Sequence, residues 1–554
     1  MSDDYYDLGP YTRPITTTSP EAQVWFDRGL NWCYGYHHEE AVVCFEKALA
    51  HDPDCAMAHW GIAYAVGPNY NKEWHMFDEV DRCQSLARAC DETAAAMAAA
   101  GGATPVERAL IEALPKRYRQ SDPVEDFQPW NDDFADAMRE VHRRHPGDLD
   151  VRAIFVEAIL NRTPWRLWEL QTGTIADNSG AEEAAAVMEE AFRDLAPEGA
   201  NRHPGLLHLY VHLMEMSPHP ERALKAGDVL RDLVPDAGHL AHMPTHIDVL
   251  CGHYHAVVEG NRRAIVADRK YLARAGAMNF YSGYRVHDYH FQIYGAMFLG
   301  QYQPALEAAE ELIATTPEEV LRMTSPPMGD WLEGYIPMKQ HVLVRFGKWR
   351  EIVEQELPED PELYCVTTAM IHYAKTVAHS ALTDVAAAER ERDLFHLAYA
   401  RVPENRWVHN NTCIDILGVA EQMLEGELAY RRGDFETAFD HLRRAVARDD
   451  ALPYDEPWGW MQPPRHALGA LLLEQGRAEE AEAVYRADLG LDGSLSRASQ
   501  HPDNVWSLHG LHECLVRRGE RLESVFVKQR LDLATARADV PIKASCYCRL
   551  RHAA

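Results

Sequence analysis

The chain has 554 residues, with 55 Lys or Arg, 86 Asp or Glu and a formal charge of −31 at pH 7. This excess of acid argues against a nucleic-acid or anionic-membrane partner, because such proteins bind phosphates through surplus Lys and Arg. Hydrophobic residues make up 46% of the chain, as in folded globular proteins. The sequence has neither an apolar run of membrane-spanning length nor a signal-peptide pattern, so it predicts a cytoplasmic protein with reduced cysteines.

The first helical pattern follows a predicted N-terminal segment, residues 1–20. In residues 25–53, small and apolar residues recur at helical spacing in two consecutive stretches: Trp25, Gly29, Trp32, Ala41, Phe45, Ala48 and Pro53. This spacing resembles the tetratricopeptide repeat, a 34-residue helix–turn–helix unit whose small residues let paired helices pack closely. Arg28 departs from the pattern, which usually has Leu at that position.

Weaker copies of the pattern cover most of the chain. The better copies lie at residues 204–235, 286–317, 419–450 and 462–493. The resemblance implies an all-α fold, an α-solenoid of tetratricopeptide-type helix–turn–helix repeats curled around a central groove.

We expect one such domain over residues 21–540, followed by a tail at 541–554. Within it, residues 203–300 form the histidine-rich central repeats, and residues 419–537 form the C-terminal repeats.

Histidine is concentrated in the central repeats, where 11 of the chain's 29 histidines fall between residues 203 and 290. His208 and His212 take the fifth and ninth positions of one repeat's first helix. His242 and His246 take the same positions 34 residues later. Residues i and i+4 share a helical face, so each pair points two imidazoles in one direction.

In tetratricopeptide-repeat proteins the fifth and ninth positions face ligands in the groove, and the resemblance implies the same here. His290 takes the fifth position of a third repeat, and His287 precedes it by one turn. We therefore predict a metal site with these ligands: His208, His212, His242, His246, His287 and His290. An imidazole-rich shell favours copper, with iron and then zinc as alternatives. A histidine-lined pocket for an organic or anionic ligand, or chance clustering of packing histidines, would also explain the pattern.

Other residues are candidates for roles around that metal. The predicted catalytic residues are Glu215, Tyr294 and Glu157. The two glutamates would either ligate the metal directly or deliver protons, and Tyr294 would contact the substrate or the metal-bound oxidant. The predicted substrate-binding residues lie in loop segments and are Asn69, Asn71, Lys72, Glu456 and Trp460. For the three in the first loop, turn formation alone is the competing interpretation.

These features predict an oxygen-dependent oxidoreductase that uses copper, or else iron, to oxidise a small polar molecule. Its partners would be that substrate and dioxygen. The alternatives are a tetratricopeptide scaffold with a protein partner, or a zinc-dependent hydrolase or lyase. The chain also resembles a group of bacterial and fungal tetratricopeptide-repeat proteins with similar Gly-Pro-Asn-Tyr-Asn-Lys and Gly-His-Leu-x-His-Met-Pro-x-His segments. That resemblance implies a histidine-rich site and supplies no reaction.

Overall fold

A computed structural model describes residues 5–194 and 202–549 of the chain. The described residues form two compact units. Unit 1 runs to Ile247 and includes Arg263–Tyr281, whereas unit 2 consists of Asp248–Arg262 and the chain from Ser282 onward. The division into one domain at 21–540 stays a prediction.

Unit 1 is built from helices that follow one another along the chain. They are α1 (Pro20–Tyr34), α2 (His38–His51), α3 (Ala56–Ala65), α4 (Glu79–Ala99), α5 (Pro105–Arg117), α6 (Gln128–Arg144), α7 (Leu149–Leu160), α8 (Ala181–Asp194), α9 (Pro204–Glu215), α10 (Leu224–Leu230) and α11 (Gly238–His242). Helices α12 (Pro244–Leu250) and α13 (Tyr254–Ala275) each contribute residues to both units. Strands β1 (Trp168–Glu169) and β2 (Thr174–Ile175) pair antiparallel, with Trp168 opposite Ile175.

Unit 2 continues the same helical pattern. Its helices are α14 (Ser282–Leu299), α15 (Tyr302–Ala314), α16 (Glu318–Leu321), α17 (Met328–Leu332), α18 (Met338–Arg345), α19 (Trp349–Val353), α20 (Cys365–Ala381), α21 (Val385–Tyr399), α22 (Cys413–Arg431), α23 (Phe435–Asp450), α24 (Pro464–Glu474), α25 (Ala478–Asp488), α26 (Val505–Arg518) and α27 (Arg521–Thr535). Strands β3 (Trp407–Val408) and β4 (Asn411–Thr412) form a second antiparallel pair.

Close helix packing in unit 1 explains the small residues of the repeat pattern. Phe45 of α2 is fully buried between α1 and α3. A Cβ added at Gly29 or at Gly61 would lie 2.5 Å or 2.7 Å from the ring of Phe45. Only glycine therefore leaves room for the ring, and its burial holds three consecutive helices together.

The same arrangement recurs near the other end of the chain. Tyr485 of α25 lies between Gly469 of α24 and Gly510 of α26, where an added Cβ would approach the ring to 2.4 Å or 2.2 Å. The two short strand pairs are the β-structure of the described residues beyond one isolated bridge. The predicted all-α fold of tetratricopeptide-type hairpins is confirmed.

A proline interrupts the helix that carries the second histidine pair. Pro244 lacks a backbone N–H, so the hydrogen-bond ladder breaks and α11 gives way to α12. Met243 keeps right-handed helical angles, and the His246 N–H donates to its carbonyl at 3.1 Å. His242 and His246 therefore remain one turn apart despite the break.

Across the part of the chain that the structure describes, no helix combines the length and the apolarity needed to span a membrane.

Candidate metal centre

Helix α9 places three predicted site residues on one face. His203 caps the helix by accepting a backbone N–H of the first turn through Nδ1 at 3.1 Å, and Pro204 follows at the first helical position. His208, His212 and Glu215 come next at intervals of four and three residues, so their side chains share a face. All three side chains are at most 1% exposed.

The first histidine pair is anchored through its Nδ1 atoms. His208 Nδ1 lies 2.6 Å from the carbonyl oxygen of Tyr34, which can only accept, so this nitrogen carries the proton. His212 Nδ1 lies 2.9 Å from Glu215 Oε1. The two Nε2 atoms consequently face each other at 3.0 Å. Nδ1–H donation to a carbonyl or a carboxylate, with Nε2 turned inward, is the usual arrangement of metal-binding histidines.

The second pair repeats this geometry in unit 1. His242 Nε2 and His246 Nε2 lie 2.7 Å apart. His246 Nδ1 lies 2.9 Å from Glu215 Oε2, and Thr245 Oγ1 donates to the His242 carbonyl at 2.7 Å. Glu215 therefore orients one imidazole of each pair, using one carboxylate oxygen for each.

Burial dominates the electrostatics of this cluster. It lowers the pKa of His208 to about 3, which keeps the imidazole neutral and able to act as a ligand. Burial also raises the pKa of Glu215 well above its usual value. A bound cation would offset that rise, because it places positive charge one imidazole away from the carboxylate.

A fifth histidine, His239, belongs to the same cluster and was missed in the sequence. One nitrogen from each of His208, His212 and His239 lies within 4.8 Å of the others. The His239 ring centre lies 5.0 Å from that of His208 and 5.8 Å from that of His242. The sequence carried a usable signal, since His239 precedes His242 by one turn, as His287 precedes His290.

These donors fit a transition metal. An ion bonded to imidazole nitrogen at ~2.0–2.1 Å can reach both atoms of a pair that lie about 3 Å apart. His239 supplies a third nitrogen to the first pair, and neutral imidazoles suit copper and zinc.

Aromatic rings enclose the first pair. The Tyr36 ring centre lies 4.5 Å from that of His208, and the Tyr70 ring centre lies 4.7 Å from that of His212. Trp165 lies 5.6 Å from His212, and its backbone N–H donates to the Tyr70 hydroxyl at 3.1 Å. Packing of this kind excludes water and limits ring rotation.

Glu157 lies on α7 and is buried. Its carboxylate accepts a hydrogen bond from the Tyr64 hydroxyl, and the guanidinium of Arg117 lies 4.3 Å from the Tyr64 ring centre. Burial raises the pKa of Glu157, while Tyr64 and Arg117 lower it. Its role at the predicted metal stays a prediction, since the hydrogen bond from Tyr64 is the side-chain contact that the described residues give it.

The loop residues predicted to bind substrate make contacts inside unit 1. Asn69 Oδ1 accepts the backbone N–H groups of Asn71 and Lys72 at 2.9 Å and 2.8 Å, which closes the turn. Lys72 Nζ donates to Asp81 at 2.7 Å and lies 4.0 Å from the Phe77 ring centre. These polar groups stabilise the turn itself, whereas their role toward a substrate stays a prediction.

His287 and His290 lie on α14, in unit 2. The His287 ring centre is 5.7 Å from that of His409, and the His290 ring centre is 5.1 Å from that of Tyr335. Burial, together with His341 and His409, lowers the pKa of His290 to about 3. Their membership of one shell with the four histidines of unit 1 stays a prediction.

The remaining predicted site residues also lie in unit 2. Tyr294 packs on Phe298 at 4.4 Å between ring centres. Glu456 accepts from the Tyr454 hydroxyl, and Trp460 packs edge-on against His341 at 4.8 Å. All three predicted residues are buried, at 1–2% exposure.

Three comparisons place the chain beside known proteins. No family model matches the chain. No curated protein matches it. Among solved structures, Cut9–Hcn1 of the APC/C aligns with 94% of both chains at 10% identity and a TM-score of 0.29. Yeast Tom70 aligns with 92% of both chains at 12% identity and a TM-score of 0.25. The P58(IPK) TPR domain aligns with 82% of this chain and 99% of its own at 13% identity and a TM-score of 0.19.

The chain has an all-α fold of tetratricopeptide-type helical hairpins. Its helical hairpins and their buried small residues carry that conclusion, and identities this low concern the fold alone.

The prediction of an oxygen-dependent oxidoreductase is wrong. The matching solved structures are repeat proteins and their complexes, and none of those named is an oxidoreductase. Dioxygen and a small-molecule substrate were expected only as partners of that reaction, and no comparison supports either.

Proposed function

We propose that the chain is a protein-binding scaffold whose partner packs on helix α27. The observation that carries this proposal is an apolar stripe on the last described helix. It consists of Leu522, Val525, Phe526 and Leu533, which are 55–76% exposed. At 100° per residue these four side chains fall within about a third of the helix circumference.

The opposite face of α27 already packs within the array. Val527 and Leu531 are buried, at 4% and 7% exposure, and α27 lies against α26. Clustered exposed apolar side chains mark interaction surfaces, so we assign an amphipathic helix of another protein as the occupant.

Photo-crosslinking tests this assignment. A photoreactive amino acid at position 526 should trap a partner in several-fold excess over the same probe at Val80, which is 52% exposed on α4. The double substitution Leu522→Glu and Leu533→Glu should abolish the crosslink, and Val80→Glu should not. Equal labelling from both probe positions would refute the assignment. A crosslink to a second molecule of this chain would show that the occupant of α27 is another copy and not a different protein.

We further propose that unit 1 holds a transition metal, with copper favoured over iron and zinc. Facing Nε2 atoms anchored through Nδ1 support this proposal. His208, His212 and His239 would form one ligand set, with His242 and His246 adjoining it. When bound, the metal would link α9, α11 and α12, and Cu²⁺ stands highest among divalent ions in intrinsic affinity for such sites.

Elemental analysis of purified protein tests the metal proposal. His208→Ala, His212→Ala and His242→Ala should each reduce bound metal by at least half, whereas replacing the exposed His51 should not. Circular dichroism establishes that each variant remains folded. Wild-type metal content in all three variants would contradict the proposal, and a preference for zinc would overturn the choice of copper.

A further inference from the structure

The C-terminal segment of unit 2 is held in place by buried polar contacts. A short 3₁₀ turn, Tyr547–Arg549, lies against α20 and α24. Arg345 Nη2 donates to the Ser545 carbonyl at 2.5 Å, and Ser545 Oγ donates to the His466 carbonyl at 2.9 Å. Arg431 donates to the carbonyl of Cys548. The backbone is therefore anchored on both sides of Cys546.

Two cysteines of this segment meet a buried glutamate. Cys546 and Cys548 form a disulfide, whereas the sequence predicted reduced thiols. Both Sγ atoms and a carboxylate oxygen of Glu427, on α22, lie within 4.8 Å of one another. Glu427 is 1% exposed, and its Oε2 has no hydrogen-bond partner among the described residues.

A small cavity adjoins these three side chains. Its volume is about 20 Å³, and its lining includes Glu427, Cys546, Cys548, Tyr373 and Trp460. A cavity of this size accommodates one water molecule or ion, because a single water needs roughly 10–15 Å³ of such space. The carboxylate thus faces a space suited to one ion.

Charge balance depends on the state of the sulfur atoms. Arg431 Nη2 lies 3.7 Å from Glu427 Oε2, and Arg345 also lines the cavity, so cationic groups oppose the one carboxylate while the disulfide is intact. Reduction and deprotonation would add two negative charges in a buried place. A divalent cation restores the balance, and thiolate sulfur with carboxylate oxygen is a donor set that zinc accepts.

We propose that Glu427 and the reduced thiols of Cys546 and Cys548 form a second metal site for a thiophilic divalent cation such as Zn²⁺. The disulfide and the metal are alternative crosslinks in this proposal. Two molecules of an external thiol reduce the disulfide with two electrons, giving two protein thiols and one oxidised thiol dimer. Binding of Zn²⁺ then forms two Zn–S bonds and releases two protons.

Cobalt substitution tests the proposal on the full-length protein. After reduction and anaerobic removal of the reductant, Co²⁺ should produce a near-ultraviolet thiolate-to-cobalt absorption band. The band should be absent from the oxidised protein. Because the histidine centre contains no sulfur, this readout is independent of the metal proposed for unit 1.

Three variants separate the proposed ligands from the other cysteines. Cys546→Ser combined with Cys548→Ser should remove the band, and Glu427→Gln should weaken Co²⁺ binding about tenfold or more. Cys83→Ser, at an exposed free cysteine on α4, should leave it unchanged. A band that survives the double serine variant, or that is absent from reduced wild-type protein, would overturn the proposal. Glu427→Gln tests the site even if the double variant fails to fold.

Discussion

Each unit contains a buried carboxylate that bridges two histidines, yet the two carboxylates differ electrostatically. In unit 1, Glu215 meets His212 and His246 through Nδ1, and burial raises its pKa well above the usual value. In unit 2, Asp488 meets His501 at 2.9 Å and His466 at 3.0 Å. Burial also raises the pKa of Asp488, but the charges and hydrogen bonds of these histidines lower it well below the usual value.

The additional partners of Asp488 account for part of the difference. Asn504 Nδ2 donates to it at 3.0 Å and Ser507 Oγ at 2.6 Å. Arg345 Nη1 donates to Nδ1 of His466 at 2.8 Å, so both nitrogens of that imidazole are used within the protein. Asp488 thus lies in a hydrogen-bond network that side chains of the protein complete. In unit 1 the Nε2 atoms face other imidazoles, and a bound cation would complete that network.

The largest expected effect concerns the structural carboxylate. Asp488→Ala should lower the free energy of unfolding by about 3–5 kcal/mol, because it leaves buried donors and charges without their acceptor. Urea denaturation in the presence of a metal chelator measures this loss. Asp503→Ala removes an exposed ion pair with Arg530 and should cost less than about 1 kcal/mol. Similar losses in both variants would show that Asp488 does not hold unit 2 together.

The sequence predicted the hairpins and both histidine pairs, because these depend on spacing within helices. The four-residue spacing places both imidazoles of a pair on one helical face, and a period of 34 residues relates the two pairs. The anchoring of His208 could not be predicted in this way. Its partner is a backbone carbonyl 174 residues away, and a carbonyl has no residue-specific signature.

Glu157 shows the limit of the same logic. Its register position predicted a side chain facing the groove, but the spacing within a helix could not predict the hydrogen bond that it accepts from Tyr64, 93 residues away. The Asp488 network was missed for a related reason. It joins residues of α24, α25 and α26 and of the loop before α26, and no short motif records that arrangement.

The second prediction concerns the bridging carboxylate of unit 1. Glu215→Gln should weaken metal binding about 10- to 100-fold, because one imidazole then meets an amide N–H instead of an acceptor. Competition with a chelator of known affinity measures the change. Glu157→Gln is the matched control, a buried glutamate of the same unit without a histidine contact, and should leave affinity unchanged. Equal effects of the two substitutions would mean that Glu215 has no special part in the centre.

The third prediction concerns the anchor of His208. A Cβ at Gly205 would lie 2.4 Å from Tyr34 Cδ1, so Gly205→Ala should push α9 away from the residue whose carbonyl orients His208. Such overpacking costs about 1–3 kcal/mol of unfolding free energy. Metal affinity should fall with it. Gly283→Ala, where an added Cβ meets nothing within 4 Å, should cause neither loss.

The smallest expected effect concerns a buried imidazole that lacks a carboxylate partner within the described chain, and its pKa can be compared with that of His466. His37 stacks on Tyr281 with ring centres 3.8 Å apart, and among the described residues its ring nitrogens have no hydrogen-bond partner. Burial lowers the pKa of His37 to about 3, and that of His466, which contacts Asp488, only to about 4.

The sign of the pH dependence follows from the unfolded chain, where histidine has a pKa of about 6.5. Below that pH the unfolded state binds a proton that folded His37 does not bind, so stability falls by about 1.4 kcal/mol per pH unit for this group. His37→Phe keeps the stacking and should reduce the acid slope by that amount. Urea unfolding of wild-type and variant protein between about pH 7 and about pH 5 measures the difference. Parallel stability curves would show that His37 is not held neutral by burial, and replacement of the exposed His51 controls for the loss of a histidine.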